Sequence, residues 1–197
     1  MSEYAFKKVA ADRASAVCQD IEVDEAARAL LAPELAPAAY LRLLIDAAHY
    51  MDAVRFLARA LPKREATWWA CLCARSTLGE NPAPEMVRAL ELAEQWVHKP
   101  TEEQRRLTFP AAQAGQFGHP ASWAAMAAFW SGGSLAPPDV PVVPPAENLT
   151  AKAVAGAVML AAVLTEPEKS ETKYRLFLEQ GIDIACGGTG RVDHLEG

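Results

Sequence analysis

The 197-residue chain carries 19 Lys and Arg against 25 Asp and Glu, a formal net charge of -6, which gives no electrostatic reason to expect affinity for a nucleic-acid backbone. Its hydrophobic fraction of 51% is dominated by alanine and leucine, and alternating β-branched stretches are almost absent. That balance favours helices packed closely on helices, in one domain able to bury roughly 70% of the surface its unfolded chain exposes.

In chain order, residues 1–22 carry weak punctuation and read as a short helix with a mobile end. Asp24 offers an N-cap for a helix through Leu31, ended by Pro33. Pro37 suits the first position of the next, where Leu41, Leu44, Ile45 and Ala48 share a face. Met51, Val54, Leu57, Ala58 and Leu61 continue that stripe, in the same helix or after a bend near His49. Pro62 starts a helix from Lys63 to Ser76, and its apolar run Trp68 to Ala74 predicts the most central helix of the fold.

Gly79-Glu80-Asn81-Pro82 is a turn, and Pro84 to His98 is amphipathic. Thr101 and Gln104 form a capping box for a helix running towards Gly115. Pro120 opens another, stopped by Gly132-Gly133. Five prolines between Ala136 and Glu147 exclude helix and central strand, and the interleaved Val140, Val142 and Val143 suggest an extended strap lying over the helices. Two helices close the chain, from Asn148 or Thr150 to Leu164 and from about Glu168 to Ile184, before a mobile 187–197. The expectation is a single all-α domain over 1–197, with antiparallel helical hairpins in a bundle or a short HEAT-like α-solenoid.

Chemistry is sparse. Cys71 and Cys73, two apart on a helix, point about 200° away from each other and cannot share a metal. His49, His98, His119 and His194 lack neighbouring ligands, so no metal or cofactor is expected. Gly187-Gly188-Thr189-Gly190-Arg191 superficially resembles a phosphate loop, but lacks the strand before it, the helix after it and the lysine. Arg105-Arg106-Leu107-Thr108-Phe109 sits mid-chain with no apolar region following, so it is not a twin-arginine leader. The apolar run 153–164 is too short for a membrane span. Dispersed cysteines without a secretory signal fit reduced thiols and a cytoplasmic location.

One place strains a local rule. Lys63 and Arg64 occupy the first turn of their helix, where the dipole disfavours cations. They could meet an acid of a partner, or an internal one such as Asp46, Asp52 or Glu65. Trp68 and Trp69 beside them are anchors for a partner or filling for the core. The candidate partner-binding set is therefore Lys63, Arg64, Glu65, Trp68 and Trp69. An enzymatic alternative would bring Asp46, His49 and Glu65 into one pocket, and an immunity protein that binds a basic toxin also fits the acidic charge.

The run from Leu61 to Arg75, LPKREATWWACLCAR, with Ala124 to Leu135, AAMAAFWSGGSL, resembles a family of uncharacterised small all-helical bacterial proteins that accompany type VI secretion genes. The resemblance covers residues 36–186 and attaches no catalytic residues. It implies an accessory role, as adaptor or chaperone for a secretion effector or spike component.

Overall fold

The computed structural model describes residues 5–192, which form an all-α, multi-helix bundle with no sheet among them. Ten α-helices follow in order: α1 (Ala14–Cys18), α2 (Glu25–Ala29), α3 (Pro37–Asp46), α4 (Tyr50–Ala60), α5 (Lys63–Arg75), α6 (Pro84–His98), α7 (Glu102–Ala114), α8 (Pro120–Phe129), α9 (Leu149–Leu164) and α10 (Ser170–Ala185), with a 3-10 turn over Pro167–Lys169. Prolines open α3, α6 and α8, where their missing N–H costs nothing. Thr101 caps α7, its Oγ1 accepting the Gln104 N–H at 3.3 Å. Asp24 is not the side-chain cap its position suggests: its own backbone N–H donates to Asp52 Oδ1 at 3.3 Å.

The stripe from Leu41 to Leu61 is two helices. The α3 helix ends in a Schellman turn, in which the His49 N–H reaches Leu44 O at 2.8 Å and the Ala48 N–H reaches Ile45 O at 3.0 Å. Ala48 takes the left-handed position at φ 58°, where a Cβ is unfavourable by roughly 1 kcal/mol. Ala48→Gly is therefore expected to raise stability by about 0.5–1 kcal/mol in urea unfolding; a loss would contradict this reading of the turn.

The centre lies elsewhere than the sequence suggests. Every residue of α8 except Trp123 is buried, and α8 packs against α5, α6, α7 and α9. Its alanines at 121, 124, 125, 127 and 128 have no bulk to hold neighbours away, so four helices close on it. In α5 the bulky run is not enclosed all round, since Trp68 and Leu72 are only half-buried. Its inner face carries Trp69, whose indole N–H donates to Phe177 O of α10 at 2.6 Å. There Gly181 permits close approach: a Cβ on it would lie 2.6 Å from Leu57 Cδ2 and 2.8 Å from Trp69 Cε2.

The start of α8 is built on a buried histidine. His119 Nδ1 accepts the Ala121 N–H at 3.1 Å, and Nε2 lies 3.3 Å from Thr77 Oγ1. Because the Thr77 hydroxyl donates to Ala74 O at 2.7 Å, Nε2 carries the ring proton and Nδ1 is the acceptor. Burial pushes the His119 pKa below its ordinary 6.5. The unfolded chain then binds the proton more readily, so stability falls as pH drops through 6.5 and levels once pH is below the folded value. Urea midpoints across pH 5–8 should show this slope, and His119→Gln should flatten it.

The proline-rich segment 136–146 has no helix or strand. Its base is tied: the Leu135 N–H reaches Val143 O at 2.8 Å, and Ser134 Oγ accepts from Ala136 N and Val143 N at 3.1 Å. The valines do not seal it to the helices, with Val140, Val142 and Val143 exposed by 48%, 73% and 50%. Within the ends expected to be mobile, the described parts make defined contacts. Lys7 and Lys8 N–H groups both donate to Ala185 O, at 2.8 and 2.9 Å, and so close the last turn of α10. Residues 1–4 and 193–197, with His194, lie outside the described residues.

Candidate functional site

The five candidate residues separate into three environments. Lys63 turns to Glu147, with Nζ 3.0 Å from its carboxylate, a solvated pair of small energetic weight. Trp69 is fully buried in the core. Arg64, Glu65 and Trp68, at i, i+1 and i+4 of α5, share a face and line one cavity of about 540 Å³.

The strained cations meet groups the sequence does not flag. Arg64 Nε donates to Val97 O at 2.5 Å, in the last turn of α6, where the helix dipole favours a cation. Its position is thus unfavourable for α5 and favourable for α6. Of the acids named as partners, Glu65 pairs with Lys8 at 3.3 Å and Asp46 with Arg42 at 3.2 Å. Asp52 is buried, 3.2 Å from Arg55.

The opposite wall is the segment 187–191, read from sequence as a mobile tail. Here it folds back: the Gly188 N–H donates to Asp183 O and the Gly190 N–H to Asp183 Oδ2, each at 2.8 Å. Gly187 and Gly190 adopt φ 99° and 74°, open to glycine at little cost. A Cβ at Gly188 would fall 2.1 Å from Asp183 Oδ2. Trp68 joins the two walls through its indole N–H, which donates to Thr189 O at 2.7 Å. The Arg191 guanidinium and the His98 ring each lie 5.9 Å from the Trp68 ring centroid. Glu65 is answered by Lys8, whereas Arg64 and Arg191 have no acid partner among the described residues.

Residues 40–185 match a family of unknown function, DUF6931. The chain belongs to DUF6931. No curated protein matches it, and no solved structure does. The DUF6931 match contains Arg64, Trp68, Val97 and His98, while Lys8 and the 187–191 wall lie outside it. The family's description assigns no activity.

The other candidate groups of this DUF6931 member lie apart from one another. Asp46, His49 and Glu65 do not converge: Glu65 lines the Trp68 cavity, Asp46 holds Arg42, and His49 lines a separate hollow of about 330 Å³ with Asp24, Asp52 and Tyr174. Burial pushes the Cys71 and Cys73 thiols well above their ordinary range. Among the described residues no group of three or more His, Cys, Asp and Glu is placed to hold a metal. No single described helix is long and apolar enough to cross a membrane, and α9 and the segment after it are bent by 117°.

Proposed function

We propose that the protein is a non-enzymatic protein-binding module whose docking site is the cavity between α5, the end of α6 and the 187–191 loop. The observation that carries this reading is the site's composition: an indole wall, an apolar floor of Val97 and Ile184, and two guanidinium groups without acid partners among the described residues. Aromatic and arginine side chains that remain reachable in a concave surface are the groups that concentrate binding energy at protein interfaces. Nucleic acid does not fit the net charge of -6.

The partner we infer is a component of a type VI secretion pathway, an effector or a spike component, with this chain as adaptor or chaperone in the cytoplasm. Support comes from the resemblance of Leu61–Arg75 and Ala124–Leu135. An immunity role against a basic toxin would use an acidic face, opposite in charge to this cavity. The hairpin order is part of the same proposal: successive helices from α5 to α10 pack on their chain neighbours, as in a short α-solenoid. The 136–147 segment would strap the bundle through its base alone.

The test is capture from the native host with the tagged wild-type chain and with Trp68→Ala/Arg191→Gln. A partner recovered in equal molar amount with wild type and lost with the folded double variant supports docking at this site. Equal recovery by both, or a free monomer throughout, contradicts it.

A further inference from the structure

We propose that the Trp68 cavity takes an acidic segment of a partner protein, its side-chain carboxylates held by Arg64 and Arg191 and an apolar neighbour lying against Trp68. This rests on the cavity being the docking site and names what docks there.

The pairing pattern of arginines carries the inference. Arg13, Arg42, Arg55, Arg59, Arg75, Arg105, Arg106 and Arg175 each have a carboxylate within 3.2 Å. Arg28, Arg64, Arg88 and Arg191 have none among the described residues, and of these four Arg64 and Arg191 are the two brought together in one cavity. Arg64 uses Nε on Val97 O, which leaves the edge formed by its two terminal nitrogens, the edge that matches a carboxylate in a bidentate pair. The Arg191 guanidinium carbon lies 5.9 Å from the Trp68 ring centroid, a cation–π contact that uses none of its N–H groups.

Size and lining separate a peptide from a small anion. About 540 Å³ is the volume of a site for a ligand of many atoms, well beyond one carboxylate or phosphate group. Trp68, Val97 and Ile184 supply apolar wall that an inorganic anion would leave unused. The one acid on the rim, Glu65, is already paired with Lys8, and the nearest helix-end carbonyl, Val97 O, is already met by Arg64. Neither opposes an incoming carboxylate strongly.

The experiment titrates the full chain with two capped peptides, one alternating Asp and Glu with Leu and Phe, the other its Asn and Gln isostere, followed by NMR. The acidic peptide should saturate, shift the Trp68 indole and the backbone of 97–98 and 187–191, and bind about tenfold more tightly than the isostere. Added salt should weaken it. Arg191→Gln should cost about tenfold with no change in melting temperature. Arg64→Lys, which keeps charge and loses the fork, should cost less.

Equal affinity for the two peptides, unchanged affinity in Arg191→Gln, or no saturation at millimolar acidic peptide overturns the inference. So does full competition by inorganic phosphate at similar concentration, which would mark a small-anion site. If host capture still depends on Trp68 and Arg191 while the isostere binds equally, docking stands and the acidic specificity falls. If capture ignores both residues, the docking reading itself falls.

Discussion

Trp69→Ala is expected to lower unfolding free energy by about 3–5 kcal/mol, the range for deleting a large buried aromatic. The indole is fully buried, and its N–H donates to Phe177 O. The void would not collapse easily. Leu57 Cδ2 and the Trp69 ring already lie against Gly181 of α10, and a glycine has no side chain to swing into the void. For a chain of this length the loss corresponds to a fall of roughly 6–20 °C in melting temperature. Trp68→Ala, one position away and half-buried, should cost about 1 kcal/mol or less. Urea unfolding of the two variants checks the contrast, and similar losses would contradict the separation of the pair into core and site.

Arg105→Ala should also be severe, at about 2–4 kcal/mol, because it leaves the buried carbonyls of Phe129 and Ser134 without their donor. Arg105 is 3% exposed. Its guanidinium donates to Phe129 O at 2.6 Å, to Ser134 O at 2.9 Å, and through Nε and Nη2 to Glu102 at 2.6 and 2.7 Å, while sitting 4.8 Å over the Phe129 ring. It thereby joins the start of α7 to the end of α8 and to the loop entering the proline-rich segment. Gly133, at φ 65°, completes the fit, since a Cβ there would lie 2.7 Å from both Arg105 Nη2 and Glu102 Oε2.

Arg105→Lys should recover only part of the loss, as one ammonium cannot reproduce the fork. The network also has a pH signature. Hydrogen bonding from Arg105 holds the Glu102 carboxyl below its ordinary 4.5. Its contribution is present above that value and lost as pH falls through it towards the folded pKa. Stability measured between pH 3 and 6 should therefore lose part of its acid slope in Arg105→Ala.

These two residues show what was legible in the chain and what was not. Helix starts at Pro37, Pro84 and Pro120 and the cap at Thr101 could be read because their physics is local: a missing N–H, or a hydroxyl three positions from an amide. The central position of α8 could not, since bulk rather than smallness drew attention, and close approach depends on alanines facing four neighbours. Arg105 could be seen only as half of an arginine pair; its partners at 129 and 134 are set by tertiary packing.

The candidate site was half legible for the same reason. Strain at Lys63 and Arg64 pointed to the helix end that borders the cavity, and Arg64, Glu65 and Trp68 line it. The remaining walls come from Lys8, the end of α6 and the loop after α10, which no spacing rule connects. The one available signal was the run Gly187-Gly188-Thr189-Gly190 followed by Arg191, in which glycines permit a turn that a flexible tail does not need. Lys63, by contrast, meets Glu147 in solvent.

The most direct measurement is photo-crosslinking in the native host from p-benzoylphenylalanine placed at His98, which is exposed, lines the cavity and makes no hydrogen bond that the proposed recognition uses. A matched probe at Met51, exposed beside the separate His49 hollow, serves as reference. Docking at the Trp68 cavity predicts one discrete adduct from position 98, absent from position 51 and abolished by Arg191→Gln. No adduct from position 98, or the same adducts from both positions, would contradict it.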